Sequence, residues 1–294
     1  MTLFERRLLV VMGKGGTGRT TVASRFAKLA ATQGKRVVCV ELNGESDLSR
    51  RMGLAGRSYA PRSTATGVDV CSLTAAESID DFARRQVGGL AARALGSRWT
   101  AAFLETLPGL ADAVQLGKVE NMLRQPDVGD PAWDLCVVDA PATGHGLSLL
   151  DAASSLVRLG KSSPFATLAR RIADLVEDRA LTGIVLVTTP EALPVSETEL
   201  LARELSEAGR PADVLVVHRL TPPAVPGPPE WSSTRKVLER AWSRDPGGVL
   251  AIAEVDRLIR RREAELGRVR ALCAQLGETS VWSLDSAGQL ESSL

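Results

Sequence analysis

Seven short apolar runs, each bounded by turn-forming residues, constrain the fold of this 294-residue chain most strongly. Most are rich in valine and too unbroken to alternate polar with apolar side chains, which indicates strands buried on both faces. Helical patterns separate them, and this alternation predicts an α/β fold, a doubly wound and mostly parallel sheet with helices on both faces. The runs lie at 7–12, 36–41, 68–73, 134–139, 183–189, 213–218 and 280–284, and the helical patterns at 19–33, 77–124, 146–179, 195–208 and 250–276.

Two of the helical connections are longer than a simple crossover needs. We expect 77–124 and 146–179 to add an inserted helical subdomain to a single domain spanning 1–294. The segment 221–231 contains five prolines and is expected to be a stiff surface loop, because proline suits neither a helix interior nor a central strand. The last residues, 286–294, are expected to be frayed.

The composition limits the kinds of partner that this chain is expected to bind. The formal net charge is +1 and aromatic residues make up 4%, so nothing in the totals favours nucleic acid or an acidic membrane surface. The four cysteines are dispersed with no CxxC pair, and free thiols without a signal peptide predict a cytoplasmic protein. The first 13 residues are too short and too charged for a membrane segment, and the C-terminal residues lack the pattern of a membrane anchor.

A glycine-rich stretch joins the first apolar run to the first helical pattern. It reads GKGGTGRTT and fits the phosphate-binding pattern G-x-x-x-x-G-K-[ST], except that Arg19 replaces the lysine. Glycines let backbone amides turn toward an anion, and the following helix adds its positive dipole end. Thr20 is expected to bind Mg²⁺ and Arg19 to pair with phosphate oxygens; the alternative is a glycine-rich turn that binds nothing. The expected nucleotide-binding residues here are Gly13, Lys14, Gly15, Gly16, Thr17, Gly18, Arg19, Thr20 and Thr21.

Lys14 gives this loop a second basic residue, near its start. It resembles the signature lysine of the deviant phosphate-loop ATPases, which include the partition, septum-site, nitrogenase-iron and arsenite-pump ATPases. In that class the lysine reaches across a dimer interface to the nucleotide of the partner. The resemblance implies a catalytic role for Lys14 and a dimer that closes face to face on ATP.

The segment DLCVVDAPATGHGLSLL, at 134–150, narrows the family. It resembles the second switch of the arsenite-pump (ArsA-like) and tail-anchored-protein-targeting ATPases. Asp139 ends a buried strand, as a carboxylate that holds Mg²⁺ through water should. The alternatives without a catalytic role are that Asp139 is an ordinary turn aspartate and that His145 is a structural histidine. The switch residues that the resemblance implies are Pro141, Thr143, Gly144 and His145.

The segment 187–220 resembles the same family. Glu191 and Glu197 match two acidic family positions, of which the first contacts nucleotide. They could equally be solvated carboxylates at a helix start. His218 stands where the family has an asparagine that reads the adenine edge, and histidine can still offer one donor or acceptor.

The segment 38–53 matches the first switch of the family, but Asn43 replaces the aspartate that activates the attacking water. An amide can hold a water molecule but cannot accept its proton. Arg19 and Asn43, both expected in catalytic positions, therefore predict slow hydrolysis with nucleotide binding retained.

The family resemblance leaves the client unknown. The cysteines are dispersed, no CxxC zinc site is present, and the chain has four methionines, so arsenite and tail-anchor chemistry have no support. The apolar stretches 103–123 and 147–160 could pack on their own domain or form a contact surface gated by nucleotide.

These observations predict a dimeric Mg-ATP-binding ATPase that couples nucleotide state to opening and closing of a helical surface. One alternative is a hydrolysis-deficient partner subunit of a paralogous ATPase, so the dimer could be a homodimer or a heterodimer. A second is a partition-type ATPase acting on DNA or a membrane. It would need a basic stripe, whereas the arginine-rich segment 257–270 is expected to be a solvated helix face.

Overall fold

The computed structural model describes residues 3–43, 46–87, 109–124, 133–141, 146–153, 164–221, 228–277, 279–284 and 290–292. All seven apolar runs form strands, so the predicted strands are confirmed. Two short strands, β3 and β9, were not predicted. The strands are β1 (Leu8–Gly13), β2 (Val37–Leu42), β3 (Arg62–Ser63), β4 (Val68–Leu73), β5 (Leu135–Asp139), β6 (Thr182–Thr188), β7 (Val214–His218), β8 (Ser280–Leu284) and β9 (Leu290–Ser292).

The described strands form one sheet in the order β3-β4-β2-β5-β1-β6-β7-β8-β9. Every pairing from β4 through β8 is parallel. The two edge strands, β3 and β9, pair antiparallel with their neighbours. The doubly wound, mostly parallel sheet predicted from the valine-rich runs is therefore confirmed.

Helices alternate with these strands. The helix at 47–51 is an element that the sequence patterns did not predict. The helices are α1 (Arg19–Thr32), α2 (Asp47–Arg51), α3 (Ala75–Val87), α4 (Leu110–Leu123), α5 (Gly146–Leu150), α6 (Pro164–Glu177), α7 (Ala192–Glu207), α8 (Pro228–Ala241) and α9 (Pro246–Leu276).

Side chains alternate across the sheet into two apolar cores. Leu9 and Val11 of β1 point to the face covered by α1 and α2, where Phe26 is fully buried. Val10 points to the other face, which is covered by residues of α3 to α7 and α9. Each fully buried aliphatic or aromatic side chain contributes about 1.5–3 kcal/mol, so burial on both faces favours this layered arrangement.

The apolar helical insertions are largely core in the part that the structure describes. Leu116 and Val119 of α4, and Leu149 and Leu150 of α5, are buried in the larger core. Packing on the same domain is therefore what the described residues show. Residues 88–108 and 154–163, which complete these insertions, lie outside the described residues.

Two expectations about irregular structure were wrong. Pro228, inside the proposed loop 221–231, begins α8. Proline is tolerated in the first turn of a helix, where its missing amide has no intrahelical partner. The helix is anchored by Trp231, which is buried and donates from Nε1 to Asp256 of α9 at 2.8 Å. Residues 222–227 lie outside the described residues.

The C-terminal residues were expected to be frayed, yet 290–292 form β9 against β8. Leu290 pairs with Leu284 in the register of the two strands. The unpaired backbone edge of β8 supplies the hydrogen-bonding partners that this short segment lacks by itself. Three of the four cysteines, Cys39, Cys71 and Cys136, are buried.

Candidate functional site

The glycine-rich loop lies at the carboxyl end of β1, the strand between β5 and β6 in the middle of the sheet. Ligands of open α/β sheets bind at this edge. Gly18 adopts a left-handed conformation, with φ of 96°, immediately before α1 begins at Arg19. The first amides of α1 therefore face the cleft above the loop, where an anion is favoured.

Two glycines of the loop are required by close approach. A Cβ atom on Gly13 would lie 2.3 Å from the carbonyl oxygen of Val187 on β6. A Cβ atom on Gly18 would lie 2.1 Å from Nδ1 of His218. Neither position has room for a larger residue, so the loop is fitted tightly to the strand ends beneath it.

Thr17 and His218 brace the loop from inside. The Thr17 hydroxyl donates to the Lys14 carbonyl at 2.8 Å, and Nδ1 of His218 lies 2.9 Å from the Thr17 carbonyl oxygen. A carbonyl only accepts, so Nδ1 carries the proton. Burial lowers the pKa of His218, which keeps the ring neutral at physiological pH. The ring therefore has only Nε2 left for a base, and adenine recognition by His218 stays a prediction.

Thr20 and Asp139 meet directly, although 119 positions separate them in the sequence. The Thr20 hydroxyl donates to Oδ2 of Asp139 at 2.6 Å. The other carboxylate oxygen, Oδ1, is buried and has no hydrogen-bonding partner among the described atoms. Both side chains offer oxygen atoms, which Mg²⁺ prefers. The unsatisfied oxygen beside a hydroxyl fits a metal-bound water, so these residues fit the ion that the loop implies.

The pKa of Asp139 is raised to about 6, mainly by burial, and the charge of Glu41 on the adjacent strand acts in the same direction. The hydrogen bond from Thr20 and the charges of Arg19 and Arg51 act in the opposite direction. Glu41 lies directly across from Asp139 in the register of β2 and β5. Two buried carboxylates side by side thus leave Asp139 poorly stabilised as an anion until a cation binds.

Arg19 turns back onto the end of β5. Its guanidinium donates to the carbonyl of Ala140, while the side chain still lines the cleft. Burial lowers the pKa of Arg19, and the charge of Asp139 opposes that shift. A guanidinium loses its proton only far above physiological pH, so Arg19 stays charged. The position of the missing lysine is therefore occupied by a cation anchored partly to the sheet.

Lys14 is held within its own chain. Its Nζ atom lies 2.7 Å from Oε1 of Glu197 on α7, and 48% of the lysine side chain is exposed. Pro141 lies beside this pair and helps to line a small cavity of about 200 Å³. Glu191, the other acidic position, is exposed at the N-cap of α7 and makes no capping hydrogen bond with its side chain. Thr143, Gly144 and His145 lie outside the described residues.

Asn43 has a left-handed backbone, with φ of 68°. The backbone N–H of Asn43 donates to Oε1 of Gln115 on α4 at 3.2 Å, and Nε2 of Gln115 donates to the side-chain oxygen Oδ1 of Asn43 at 3.3 Å. Gln115 is fully buried. The first switch position is therefore tied to the helical insertion, a contact that the sequence patterns did not reveal.

Glu41 organises the turn that follows Asn43. Its buried carboxylate accepts hydrogen bonds from three successive backbone amides, those of Ser46, Asp47 and Leu48, and from the Ser72 hydroxyl. These bonds hold the start of α2 against β2. A glutamate inside an apolar run was a signal for such a role, because buried carboxylates need partners.

An open cleft of about 760 Å³ lies above the loop. Thr20 and Thr21, two of the expected nucleotide-binding residues, line it. Three arginines that sequence reasoning missed line it too: Arg50, Arg51 and Arg219. The available signal was their position after the carboxyl ends of β2 and β7, the same edge as the loop.

The loop between a central parallel strand and a helix, with Thr20 bonded to Asp139, defines the α/β fold of a phosphate-loop ATPase. The family model described as anion-transporting ATPase matches residues 6–162. The chain therefore belongs to the anion-transporting ATPase family, as its resemblance to arsenite-pump and targeting ATPases predicted.

Individual relatives agree. ATPase BagA of Mycobacterium tuberculosis is 32% identical over 227 residues, covering 74% of this chain and 66% of that protein. ATPase GET3B of Arabidopsis thaliana is 24% identical, with 75% and 66% covered. The arsenical pump-driving ATPase of Escherichia coli is 27% identical, with 70% and 33% covered. The chain thus spans just under two thirds of the length of the relative with the highest identity of these three.

Two further observations bound the site. None of the described helices combines the length and the apolar character needed to cross a bilayer. No group of three or more histidine, cysteine or acidic residues that could hold a metal occurs within the described ranges. The oxygen atoms of Thr20 and Asp139 are thus the candidate metal-binding atoms of this cleft.

Proposed function

We propose that this chain is a nucleotide-gated ATPase domain that binds Mg-ATP, hydrolyses it slowly and works as a dimer. The observation that carries the proposal is the contact between Thr20 at the start of α1 and Asp139 at the end of β5. A glycine turn alone does not require a buried carboxylate beside it. A phosphate cradle that also holds Mg²⁺ does require one.

Each part of the cleft has a role in this proposal. The amides of the loop and of the first turn of α1 bind the phosphates. Thr20 and Asp139 hold Mg²⁺, the latter through water, and the bound ion would neutralise charge on the terminal phosphates. Arg19 supplies positive charge beside them, and its tie to the Ala140 carbonyl fixes where that charge lies.

Slow hydrolysis follows from Asn43. Its side-chain carbonyl is occupied by Gln115, and its amide group has no basic atom for the proton of an attacking water. The described residues lining the cleft offer one carboxylate, Asp47, which is paired with Arg50. Activation of the attacking water is therefore the slow step of hydrolysis, whereas the groups proposed to bind the nucleotide are retained.

The contact between Asn43 and Gln115 suggests how nucleotide state reaches the helices. Asn43 follows β2 at the edge of the cleft, and Gln115 lies inside α4. α4 packs against α3 and α6, so a shift at Asn43 is passed to three helices of the insertions. We propose that this group opens and closes a surface for a protein client.

The binding proposal is tested by titrating Mg-ATP and ATP in EDTA into the purified protein by calorimetry. Wild type should bind ATP more tightly with Mg²⁺, and Thr20→Ala should lose about tenfold or more of the Mg-dependent affinity, because it removes a metal-binding oxygen. Thr32→Ala is the matched control, since this exposed threonine ends the same helix and bonds only to the Leu29 carbonyl. Absence of ATP binding by wild type at millimolar concentration would refute the proposal.

Dimerisation offers a second prediction, centred on the contact between Lys14 and Glu197. A signature lysine that acts on a partner's nucleotide must first leave Glu197. Glu197→Gln should therefore lower the protein concentration at which ATP induces dimers by about two- to fivefold, as expected for losing a partly exposed ion pair. Sedimentation velocity with ATP and with ADP measures this shift.

Glu199→Gln is the control for that experiment, because Glu199 lies on the same helix but pairs with Arg203. It should leave dimerisation unchanged. A wild-type protein that stays monomeric with ATP at tens of micromolar would count against the cross-dimer role of Lys14. Weaker dimerisation of Glu197→Gln would mean that Glu197 holds the lysine in its working position.

The second candidate function is a nucleotide-binding subunit that pairs with a more complete paralogous ATPase. The combination of Arg19 and Asn43 favours it, because Asn43 offers no base for the attacking water and Arg19 replaces the lysine of the phosphate-loop pattern. ATP binding without measurable turnover, and turnover only after mixing with such a paralogue, would establish it. A partition-type role has less support, because Arg257 and Arg261 of α9 pair with glutamates of the same helix.

A further inference from the structure

Among the residues that line the cleft above the loop, positively charged side chains outnumber negatively charged ones. It is lined by four arginines and one acidic residue, Asp47. Asp47 pairs with Arg50, and Arg19 is anchored to the Ala140 carbonyl. Arg51 and Arg219 form no ion pair or hydrogen bond with any residue that the structure describes, and both are exposed. Two guanidinium groups without an ion pair among the described residues thus line the cleft above the loop.

These two arginines come from separate parts of the fold. Arg51 ends α2, the helix that follows the first switch position. Arg219 follows β7 and comes directly after His218, which supports the loop at Gly18. The charge of Arg51 bears on both Asp139 and His218, whereas that of Arg219 bears on His218. Strand order agrees, because Arg51 follows β2, which pairs with the strand that carries Asp139, whereas Arg219 follows β7 on the other side of β1. Arg51 therefore lies on the Asp139 side of the cleft, and Arg219 lies on the His218 side.

Backbone geometry singles out the same rim. Within the described residues, left-handed backbone at residues other than glycine occurs at Asn43, Ser46 and Arg219. The first two flank the turn between β2 and α2, and the third flanks the opposite side of the cleft. Such conformations persist where the surroundings impose them, and they cluster at binding sites. Arg219 is thus held in a costly conformation beside the loop.

We propose that Arg51 and Arg219 bind the phosphates of the nucleotide from the open side of the cleft, as a pair supplied by the same chain. The inference rests on the proposed function and adds two binding residues to it. Guanidinium groups match phosphate oxygens in two-point hydrogen bonds. Arg51 binds the terminal phosphate, because it lies on the side of the cleft where Thr20 and Asp139 would hold Mg²⁺, an ion that would supply positive charge to the terminal phosphates. Arg219 binds a phosphate that ATP and ADP share.

With this assignment, the position of the Arg51 guanidinium can change with the state of the bound nucleotide. Arg51 belongs to α2, whose start is held by Glu41 on the strand beside Asp139. Loss of the terminal phosphate would remove the partner of Arg51 and free α2 to shift. The first switch would then respond to ATP through Arg51 while Asn43 remains bonded to α4.

Nucleotide titration of three arginine variants tests the pair. Arg51→Ala should weaken Mg-ATP binding about tenfold or more and ADP binding at most about threefold, because charged hydrogen bonds to the terminal phosphate are lost. Arg219→Ala should weaken both by similar factors of about tenfold. Arg203→Ala, which removes an exposed arginine of α7 that pairs with Glu199 away from this cleft, should change either affinity by less than about threefold. Circular dichroism and urea midpoints establish that the variants are folded.

Inorganic tripolyphosphate separates this inference from the nucleotide proposal. Tripolyphosphate binding that is lost in Arg51→Ala would support the arginine pair even if wild type failed to bind ATP. If wild type binds ATP and the Arg51→Ala and Arg219→Ala variants bind it as tightly as Arg203→Ala, the pair would be overturned and the nucleotide proposal would stand. Wild type binding neither compound would overturn both.

Discussion

Asp139→Asn should stabilise the metal-free protein at neutral pH and at the same time remove its response to Mg-ATP. The carboxylate is buried beside Glu41, and its pKa rises from 3.8 to about 6. Asparagine keeps an oxygen for the Thr20 hydroxyl but carries no charge. The variant therefore lacks the cost of burying an anion, and it lacks the group that Mg²⁺ needs.

The direction of the Asp139 pKa shift determines how the stability difference between the variant and wild type depends on pH. Because the folded pKa is raised above the unfolded value, Asp139 contributes most to stability below about pH 4, where both states are protonated. That contribution is lost as pH rises through about 6. A shift of about 2 pH units corresponds to ~3 kcal/mol, so the variant should gain about that much relative to wild type between pH 4 and pH 7.5.

Urea denaturation in EDTA at several pH values measures the change. With Mg-ATP at about 100 times Kd, wild type alone should gain about 2.7 kcal/mol, because only wild type binds the ligand well. Asp134→Asn is the control at the opposite end of the same strand, β5. There Arg36 lowers the pKa to about 2, so that variant should lose stability above pH 4 instead. A stability difference between Asp139→Asn and wild type that does not vary with pH would contradict the prediction.

Asn43→Asp should raise ATP turnover by about tenfold or more, equivalent to ~1.4 kcal/mol of barrier. The structure makes this a clean substitution. Gln115 can donate to a carboxylate as it does to the amide oxygen, and aspartate tolerates the left-handed backbone about as well as asparagine. The change therefore adds a basic group to the first switch with little rearrangement. Single-turnover assays of the purified variant measure it.

Arg19→Lys is the comparison for that experiment. Lysine lacks the guanidinium that donates to the Ala140 carbonyl, so this variant should mainly alter nucleotide affinity. We expect the smaller gain in turnover from Arg19→Lys and the largest rate from the double variant. A larger gain from Arg19→Lys would reverse this ranking. No gain from either, with ATP still bound, would favour the partner-subunit function.

The architecture was predictable because most of its information is local. Unbroken valine-rich runs between helical patterns already specify strands that are buried on both faces of a sheet. The glycine loop could be placed for the same reason, since a strand, a turn and a helix start are consecutive in the chain. The proline-rich loop was misjudged where Pro228 begins α8, because proline signals a helix start as readily as a break.

The site was only partly predictable. Thr20 and Asp139 were chosen separately, and their contact needs β1 and β5 to be neighbours. The role of His218 under Gly18 depends on a strand two places away from β1 in the sheet. The segments 38–53 and 187–220 did not single out Arg51 and Arg219, whose place beside the loop follows from strand order.

The sequence by itself determined the α/β class, the seven central strands, the phosphate loop and the family. Each of these features depends on short contiguous stretches of residues. Tertiary structure decided the partners of those residues. It paired Lys14 with Glu197, joined Asn43 to Gln115 and set Glu41 beside the carboxylate of Asp139. The physical reason is that charge, burial and hydrogen bonding act across space. Parallel strands bring distant carboxyl ends to one edge, and only there do these groups acquire neighbours.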